Sequence, residues 1–218
     1  MNVIKVGETG DSTCGRGQGM TDKCETPLTD ELKDKLENLK TYIRKLGSLA
    51  VGFSGGVDSS FLLAVAKEVL GDRALAVTAV DASIPERELK EAENFCKERG
   101  IHQVVCVVDP MKEEEFRKNG PQRCYFCKRN IFSEIKRVAA ERDIEYVAEG
   151  SNMDDLGDYR PGLRAVAELS VTSPLREAKL HKAEIRQISK AMGLPTWSKP
   201  AYACLASRFV YGEEITEE

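Results

Sequence analysis

The sequence predicts an α/β fold, a doubly wound parallel sheet with helices on both faces, and three observations support this prediction. From residue 49 onward, short β-type runs alternate with longer helical patterns. The β-type runs are nearly continuous stretches of apolar residues, which is typical of parallel strands covered on both faces. A glycine-rich turn joins the first of these runs to the next helix. At 218 residues, and with a prior of about 150 residues per domain, the chain has room for one such domain and an appendage.

The elements follow in order along the chain. Residues 1–26 show no period of 2 or 3.6, and we expect them to form a disordered leader. Thr26 and Pro27 suit the start of a helix, and apolar residues then recur at steps of three and four up to Leu46. Gly193 and Pro195 should end the last helix. Strands are predicted over 49–53, 74–80, 103–108 and 145–149, and further helices over 57–70, 85–99, 125–141 and 182–192.

Composition narrows the function classes. The chain has 32 Lys and Arg against 36 Asp and Glu, a formal net charge of −4, so no overall positive field favours a nucleic-acid partner. No apolar run approaches the roughly 18 residues that span a membrane, and residues 1–10 lack the order of a secretory signal. We therefore expect a soluble cytoplasmic protein. Seven cysteines, an odd number, favour thiols or metal ligands over a disulfide framework.

The turn at residues 54–60 has the sequence SGGVDSS and predicts a phosphate site. Adjacent glycines let the backbone approach an anion, and the helix that starts near Val57 presents unpaired N–H groups. Ser54 and Ser59 add hydroxyl donors, while Asp58 would hold Mg²⁺ or orient the loop. An ordinary βα turn is the alternative. The turn matches neither the Walker loop nor the dinucleotide fingerprint.

A second group of candidates consists of cysteines. Cys124 and Cys127 share one face at the start of a predicted helix, and Cys204 follows 77 residues later. Basic neighbours should favour their thiolate forms: Arg123, Lys128 and Arg129. The pattern fits a coincidental pair, a redox dithiol, an incomplete zinc site or a three-cysteine iron–sulfur site. Cys96 and Cys106 have apolar neighbours, and we expect them to fill the core.

The third group lies in residues 149–165, after the fourth predicted strand. Gly150 and Ser151 should approach a nucleotide there, since ligands of such sheets bind at the carboxyl ends of the strands. Arg160 or Arg164 could pair with a substrate phosphate. One of four acidic residues could bind Mg²⁺, with a solvated loop as the alternative: Glu149, Asp154, Asp155 and Asp158.

The SGGVDSS turn resembles the signature of the PP-loop ATP pyrophosphatases, which cleave ATP between the α and β phosphates and activate an oxygen with the AMP half. The resemblance implies that the turn holds pyrophosphate and that residues 78–80, at the end of the second strand, face adenine. The nucleotide-site candidates are then Phe53, Ser54, Gly55, Gly56, Asp58, Ser59, Thr78, Ala79, Gly150, Ser151, Arg160 and Arg164.

Five further blocks narrow the resemblance: RCYFCKRNIF, EGSNMDDLGDYRPG, SPLREAKLHKAEIR, GLPTWSKPAYACLASRF and YGEEIT. Together they are similar to the LarE family, ATP-dependent sulfur transferases that build the nickel-pincer nucleotide of lactate racemase. The resemblance implies a pyridinium biscarboxylate mononucleotide as substrate, adenylated and then thiolated, with AMP and pyrophosphate as by-products. In that family the cysteine at the position of Cys204 is a sacrificial sulfur donor or one of three 4Fe-4S ligands. The presence of Cys124 and Cys127 indicates the cluster type.

The expected cofactors are therefore ATP, Mg²⁺ and a 4Fe-4S cluster on Cys124, Cys127 and Cys204, with Cys204 and Asp58 as the catalytic residues. We expect a homo-oligomer that binds a small pyridinium nucleotide. Residues 27–195 would form the PP-loop domain, and residues 196–218 would begin a sulfur-transfer segment, since members of the family continue beyond the YGEEIT block. The alternatives are an iron–sulfur tRNA thiolase of the same superfamily, a non-catalytic ATP-binding module and an amidotransferase-type synthetase.

Overall fold

The computed structural model describes residues 27–81, 85–157, 161–200 and 204–216. The expected leader, the candidate Arg160 and the acidic Asp158 lie outside these ranges. The predictions made for them stay predictions.

The sheet has four parallel strands in the described part of the chain, in the order β3-β2-β1-β4. Leu49 in β1 lies opposite Ala74 in β2 and Tyr146 in β4. Thr172 forms an isolated parallel bridge to Ala148. The strands are β1 (Leu49–Gly52), β2 (Ala74–Val80), β3 (His102–Val107) and β4 (Tyr146–Ala148). The strand order reverses beside β1, which confirms the predicted doubly wound α/β fold.

The long helices lie close to their predicted positions. The α-helices are α1 (Asp30–Leu46), α2 (Val57–Leu70), α3 (Glu86–Glu98), α4 (Glu114–Arg117), α5 (Arg123–Ala140), α6 (Pro161–Glu168), α7 (Pro174–Glu177) and α8 (Lys182–Ala191). The predicted start of α1 at Pro27 is wrong, because the Thr29 side chain accepts a hydrogen bond from the Leu32 amide at 3.3 Å and caps the helix. None of the described helices is long and apolar enough to cross a membrane.

Alternate residues of the buried strands pack against opposite layers. In β1, Leu49 and Val51 belong to the core beneath α1, α2, α3 and α8, whereas Ala50 belongs to the core beneath α5 and α6. This two-residue alternation is the ordinary geometry of a strand. Both faces of the sheet are therefore covered, and the edge formed by the carboxyl ends of the strands is left for a ligand.

The segment over residues 204–216 folds back onto α4 and the start of α5. Ile215 donates its amide hydrogen to the Arg117 carbonyl at 2.9 Å, and Gly212 donates to the Asn119 carbonyl at 3.1 Å. Ala206 and Ile215 pack against Phe116 in a small apolar cluster of their own. The segment that begins at Cys204 is thus tied to the helix that carries the other two candidate cysteines.

Candidate active site

A cavity of about 800 Å³ opens at the carboxyl ends of β1, β2 and β4. This volume lies in the range of small-molecule sites, and the position is where doubly wound sheets bind ligands. Most of the predicted nucleotide-site residues line it: Phe53, Ser54, Gly56, Asp58, Ser59, Thr78, Ala79, Gly150 and Ser151. Gly55 instead lines a separate cavity, together with residues of α3 and residues 195–200.

The glycine-rich loop turns sharply into α2. Gly55 has a φ of +69°, a conformation that glycine adopts without strain. Gly56 caps α2, and no side chain provides the cap hydrogen bond, so the first amides of the helix remain available to an anion. The hydroxyls of Ser54 and Ser59 lie 3.1 Å apart, and Ser59 Oγ accepts from the Ser54 amide at 3.3 Å. The loop thus presents amides and two hydroxyls at one end of the cavity.

Gly150 brings the turn after β4 against the start of α2. A Cβ on this residue would lie 3.1 Å from the Ser59 amide nitrogen and 3.3 Å from Asp58 Cβ. Both distances are shorter than ordinary van der Waals contact. The close approach therefore requires glycine, and it joins the β1 and β4 sides of the cavity.

Asp58 points into the cavity and has two partners there. The Lys182 ammonium donates to Asp58 Oδ2, and Asn152 Nδ2 lies 3.4 Å from Asp58 Oδ1. Neither Lys182 nor Asn152 was among the residues predicted from the sequence. Lys182 is the first residue of α8, where the helix dipole disfavours a cation. This unfavourable positive charge at the start of a predicted helix is the sequence signal that could have identified Lys182 as a functional residue.

The buried carboxylate of Glu149 organises the floor of the cavity. The residue is 4% exposed, and its carboxylate accepts hydrogen bonds from Ser151 Oγ and Ser173 Oγ, both at 2.6 Å. Lys128 Nζ, which also lines the cavity, lies 3.4 Å from Glu149 Oε2. Glu149 therefore fixes the turn and places a lysine on the cavity wall.

Two further acidic residues shape the rim. Asp154 accepts from Lys182 N at 2.9 Å and pairs with His181 Nδ1 at 2.6 Å. The hydrogen bond with His181, followed by the one from the Lys182 amide, lowers the pKa of Asp154. Asp155 accepts from the Asn152 amide at 2.9 Å. Both residues line the cavity, and carboxylate oxygens are the ligands that hard cations prefer.

Arg164 does not line the main cavity. Its guanidinium lies 4.0 Å from the centre of the Tyr125 ring, and its Nε is 3.4 Å from Glu168 Oε1. The structure thus gives Arg164 a packing role between α5 and α6. Its pairing with a substrate phosphate stays a prediction.

None of the three candidate cysteines is among the described residues that line the cavity. Cys124 and Cys127 are in the first turn of α5, the former exposed and the latter half-buried, and Cys204 is exposed. Lys128, which follows Cys127, lines the cavity. Burial raises the pKa of Cys127 to about 12, and negative charge on Cys204, Asp81 and Cys124 adds to the shift against the effect of Lys128. The expected stabilisation of the thiolate is therefore wrong for Cys127, because burial outweighs the neighbouring positive charge.

A buried arginine brings the third cysteine close to α5. Arg123 Nη1 donates to Asn119 Oδ1 and to the Ala206 carbonyl, each at 2.6 Å. Cys204 lies two residues before Ala206. Within the described ranges, no three His, Cys, Asp or Glu side chains form a group that could hold a metal ion. The structure thus brings the three thiols to neighbouring segments without assembling them into a ligand set, although thiolates are the donors that iron–sulfur clusters use.

The parallel sheet, its reversal beside β1 and the glycine-rich loop at α2 define a nucleotide-binding protein of the PP-loop class. Residues 30–144 match the NAD synthase family. A similar solved structure is an NH3-dependent NAD synthetase from Campylobacter jejuni, with a TM-score of 0.57 and 17% identity, covering 81% of this chain and 80% of that one.

Two relatives narrow the assignment. The chain is 32% identical over 188 residues to the pyridinium-3,5-bisthiocarboxylic acid mononucleotide synthase of Lactiplantibacillus plantarum, covering 86% of this chain and 68% of that protein. It is 43% identical over 187 residues to an uncharacterized protein of Synechocystis sp., covering 86% of this chain and 70% of that protein. The chain therefore belongs to the LarE family of PP-loop proteins, which confirms the resemblance found in the sequence.

Proposed function

We propose that this protein uses ATP to activate a carboxylate of a pyridinium biscarboxylate mononucleotide and replaces a carboxylate oxygen with sulfur. One observation carries the proposal: α5, the helix that begins with Cys124 and Cys127, lines the same cavity as the anion-binding loop through Lys128, the residue after Cys127. The name of the Lactiplantibacillus plantarum relative supports the choice of substrate.

The loop would hold the β and γ phosphates of ATP. The amides at the start of α2 and the hydroxyls of Ser54 and Ser59 supply donors in this part of the cavity. Thr78 and Ala79, at the end of β2, would contact the adenine. The reacting α phosphorus would then lie between the loop and α5.

Mg²⁺ would be held by one or two carboxylates of this cavity together with the phosphates of ATP, an arrangement that needs no group of three protein ligands. Asp58, Asp154 and Asp155 all line it, and carboxylate oxygens are the protein ligands that Mg²⁺ prefers. When bound, the ion would neutralise charge on the departing pyrophosphate. If Asp58 turns to the ion, Lys182 is released from its ion pair and can contact a phosphate oxygen.

Adenylation overcomes the poor reactivity of a carboxylate. A carboxylate oxygen forms a bond to the α phosphorus, the bond to the bridging oxygen breaks, and pyrophosphate leaves. Sulfur then attacks the acyl carbon, and AMP departs with the former carboxylate oxygen. Lys128 lies on the wall between Glu149 and the cysteine-bearing turn, where its charge would stabilise the acyl phosphate.

Two sulfur sources are compatible with this chemistry. If Cys204 donates its own sulfur, the residue becomes dehydroalanine and each chain acts once. If Cys124, Cys127 and Cys204 hold a 4Fe-4S cluster, one iron has no protein ligand and can carry an additional sulfide. We favour the cluster, because three thiols on neighbouring segments are unnecessary for a sacrificial donor.

The test is mass spectrometry of the protein after turnover with ATP and the pyridinium nucleotide. Product without any change in protein mass supports a cluster-bound sulfide, whereas loss of one H₂S per chain identifies sacrifice of Cys204. In anaerobically reconstituted protein, Cys124→Ala should abolish the brown iron–sulfur chromophore. Cys106→Ala, at a buried cysteine of β3 that fills the core, should retain it. A wild-type protein that never binds iron would contradict the cluster.

A further inference from the structure

We propose that Lys199 is a positioning residue that holds the phosphate-binding loop in its anion-binding form and ties the loop to the chain leading to Cys204. This inference rests on the proposed function, because it takes the loop to bind the phosphates of ATP.

The Lys199 side chain contacts the phosphate-binding loop at the Gly55 carbonyl. Its Nζ donates to the Gly55 carbonyl at 3.2 Å and to Glu91 Oε2 at 3.0 Å, and its side chain is only 16% exposed. Lys199 and Gly55 both line a second cavity, of about 470 Å³, which shares no described lining residue with the nucleotide cavity. Gly56 lines the nucleotide cavity itself. The peptide that joins the two glycines therefore separates the lysine from the proposed phosphate site.

The geometry of that peptide makes the contact consequential. In a planar trans peptide, the carbonyl and the following N–H point in opposite directions. A lysine that holds the Gly55 carbonyl therefore turns the Gly56 amide to the opposite side of the peptide, where Ser54 Oγ lies 3.4 Å away. Because glycines at both positions can adopt several backbone conformations at low cost, the loop needs an outside contact to select this one.

Other contacts hold the lysine in place. Arg186 of α8 donates to the Trp197 carbonyl at 2.7 Å and to the Lys199 carbonyl at 2.8 Å, which fixes the backbone before Cys204. Hydrogen bonds from Arg87 and then from Lys199 lower the pKa of Glu91, so this carboxylate stays ionised beside the ammonium. Among the described residues, Lys199 thus has a hydrogen-bonded backbone, a carboxylate counter-ion and a hydrogen bond to the loop carbonyl.

The test compares nucleotide affinity in variants of the full chain. Lys199→Met keeps the length of the side chain but removes its charge and its donor. We expect the Kd for ATP with Mg²⁺, measured by isothermal titration calorimetry, to rise about tenfold or more, the range for a hydrogen bond to a charged group. Lys199→Arg should restore most of the affinity. Lys190→Met is the matched control, because Lys190 Nζ of α8 lies 5.0 Å from the centre of the Trp197 ring and, among the described residues, forms no hydrogen bond or ion pair with the phosphate-binding loop.

The kinetic readout separates positioning from general damage. The KM for ATP should rise in Lys199→Met while the KM for the pyridinium nucleotide stays unchanged, and the thermal midpoint without ATP should match that of the Lys190→Met control. If Lys199→Met is unstable, Glu91→Gln must still weaken ATP binding. Unchanged ATP affinity in both Lys199→Met and Glu91→Gln overturns the positioning role alone. A wild-type protein that does not bind ATP overturns the proposed function together with it.

Discussion

Replacing Gly150 with alanine tests how the two sides of the nucleotide cavity fit together. The new methyl would lie 3.1 Å from the Ser59 amide nitrogen, 3.3 Å from Asp58 Cβ and 3.4 Å from the Asp58 carbonyl carbon. These atoms belong to the first turn of α2 rather than to the end of a flexible side chain. The contact can be relieved only if the turn after β4 moves away from the helix.

The size of the effect follows from this rigidity. Extra atoms forced into a packed region cost about 1–3 kcal/mol of unfolding free energy. For a chain of this length, each kcal/mol lowers the thermal midpoint by roughly 2–4 °C. The same movement would draw Asn152 away from Asp58, two side chains now 3.4 Å apart, so ATP affinity should fall together with stability.

The assay is urea unfolding in parallel with ATP titration calorimetry. Gly120→Ala is the control, because a Cβ at Gly120 would meet nothing within 4 Å, and its stability should stay within about 0.5 kcal/mol of wild type. A Gly150→Ala variant with the stability and the ATP affinity of this control would refute the proposed fit of the β4 turn against α2.

Three other predictions concern the position of Lys128, the dependence of ATP binding on Mg²⁺ and the ion pair of Glu184. Gly162→Ala places a methyl 2.9 Å from Lys128 Cδ and should displace this lysine, so thiolated product should form several-fold more slowly while calorimetric ATP affinity is unchanged; equal rates would contradict the role of Lys128. Removal of Mg²⁺ by a chelator should abolish ATP binding measured by calorimetry, and full affinity without the ion would show that Asp58 has another role. Burial raises the pKa of Glu184, but hydrogen bonds from Lys35 and the His181 amide outweigh it and lower the pKa below 4.5 overall. A lowered carboxyl pKa contributes stability that is lost as the pH falls through it, so below pH 4.5 the urea midpoint of Glu184→Gln should fall less than that of wild type; parallel curves would exclude this contribution.

Most of the fold can be predicted from the sequence because apolar residues recur at regular intervals in the strands and the long helices. The six-residue and seven-residue strands and the long helices repeat an apolar pattern often enough to fix their positions. The short helices α4, α6 and α7 have four to eight residues, too few turns for a repeat to be visible. The start of α1 was misplaced because Pro27 suits a first turn, whereas the hydroxyl of Thr29 provides the cap that decides the boundary.

Part of the site can be predicted from neighbouring residues in the sequence, and part depends on contacts between residues far apart in the sequence. The loop over residues 54–60 is contiguous, so its letters alone predict an anion site. Lys182 and Lys199 contact that loop from more than a hundred residues away in the sequence. Their partners follow from the packing of α8 and of residues 195–200, which come after it. Burial of Cys127 is likewise a tertiary property, which explains why its basic neighbours in sequence gave the wrong direction for its pKa.

The charges of the cavity connect these observations. Two lysines, Lys128 and Lys182, and five carboxylates are among its described lining residues: Asp58, Glu88, Glu149, Asp154 and Asp155. Each lysine already has an anionic partner, so the walls alone offer a polyphosphate no excess of positive charge. Under the proposed function, a nucleotide that enters with a divalent cation would reverse this balance, because the cation would pair with carboxylates at the rim and free Lys182 for the phosphates. The amides at the start of α2 contribute in either state, since they carry no counter-ion to displace. We therefore propose that ATP recognition depends on an exchange of partners at Asp58, with the loop as the fixed element around which the exchange takes place.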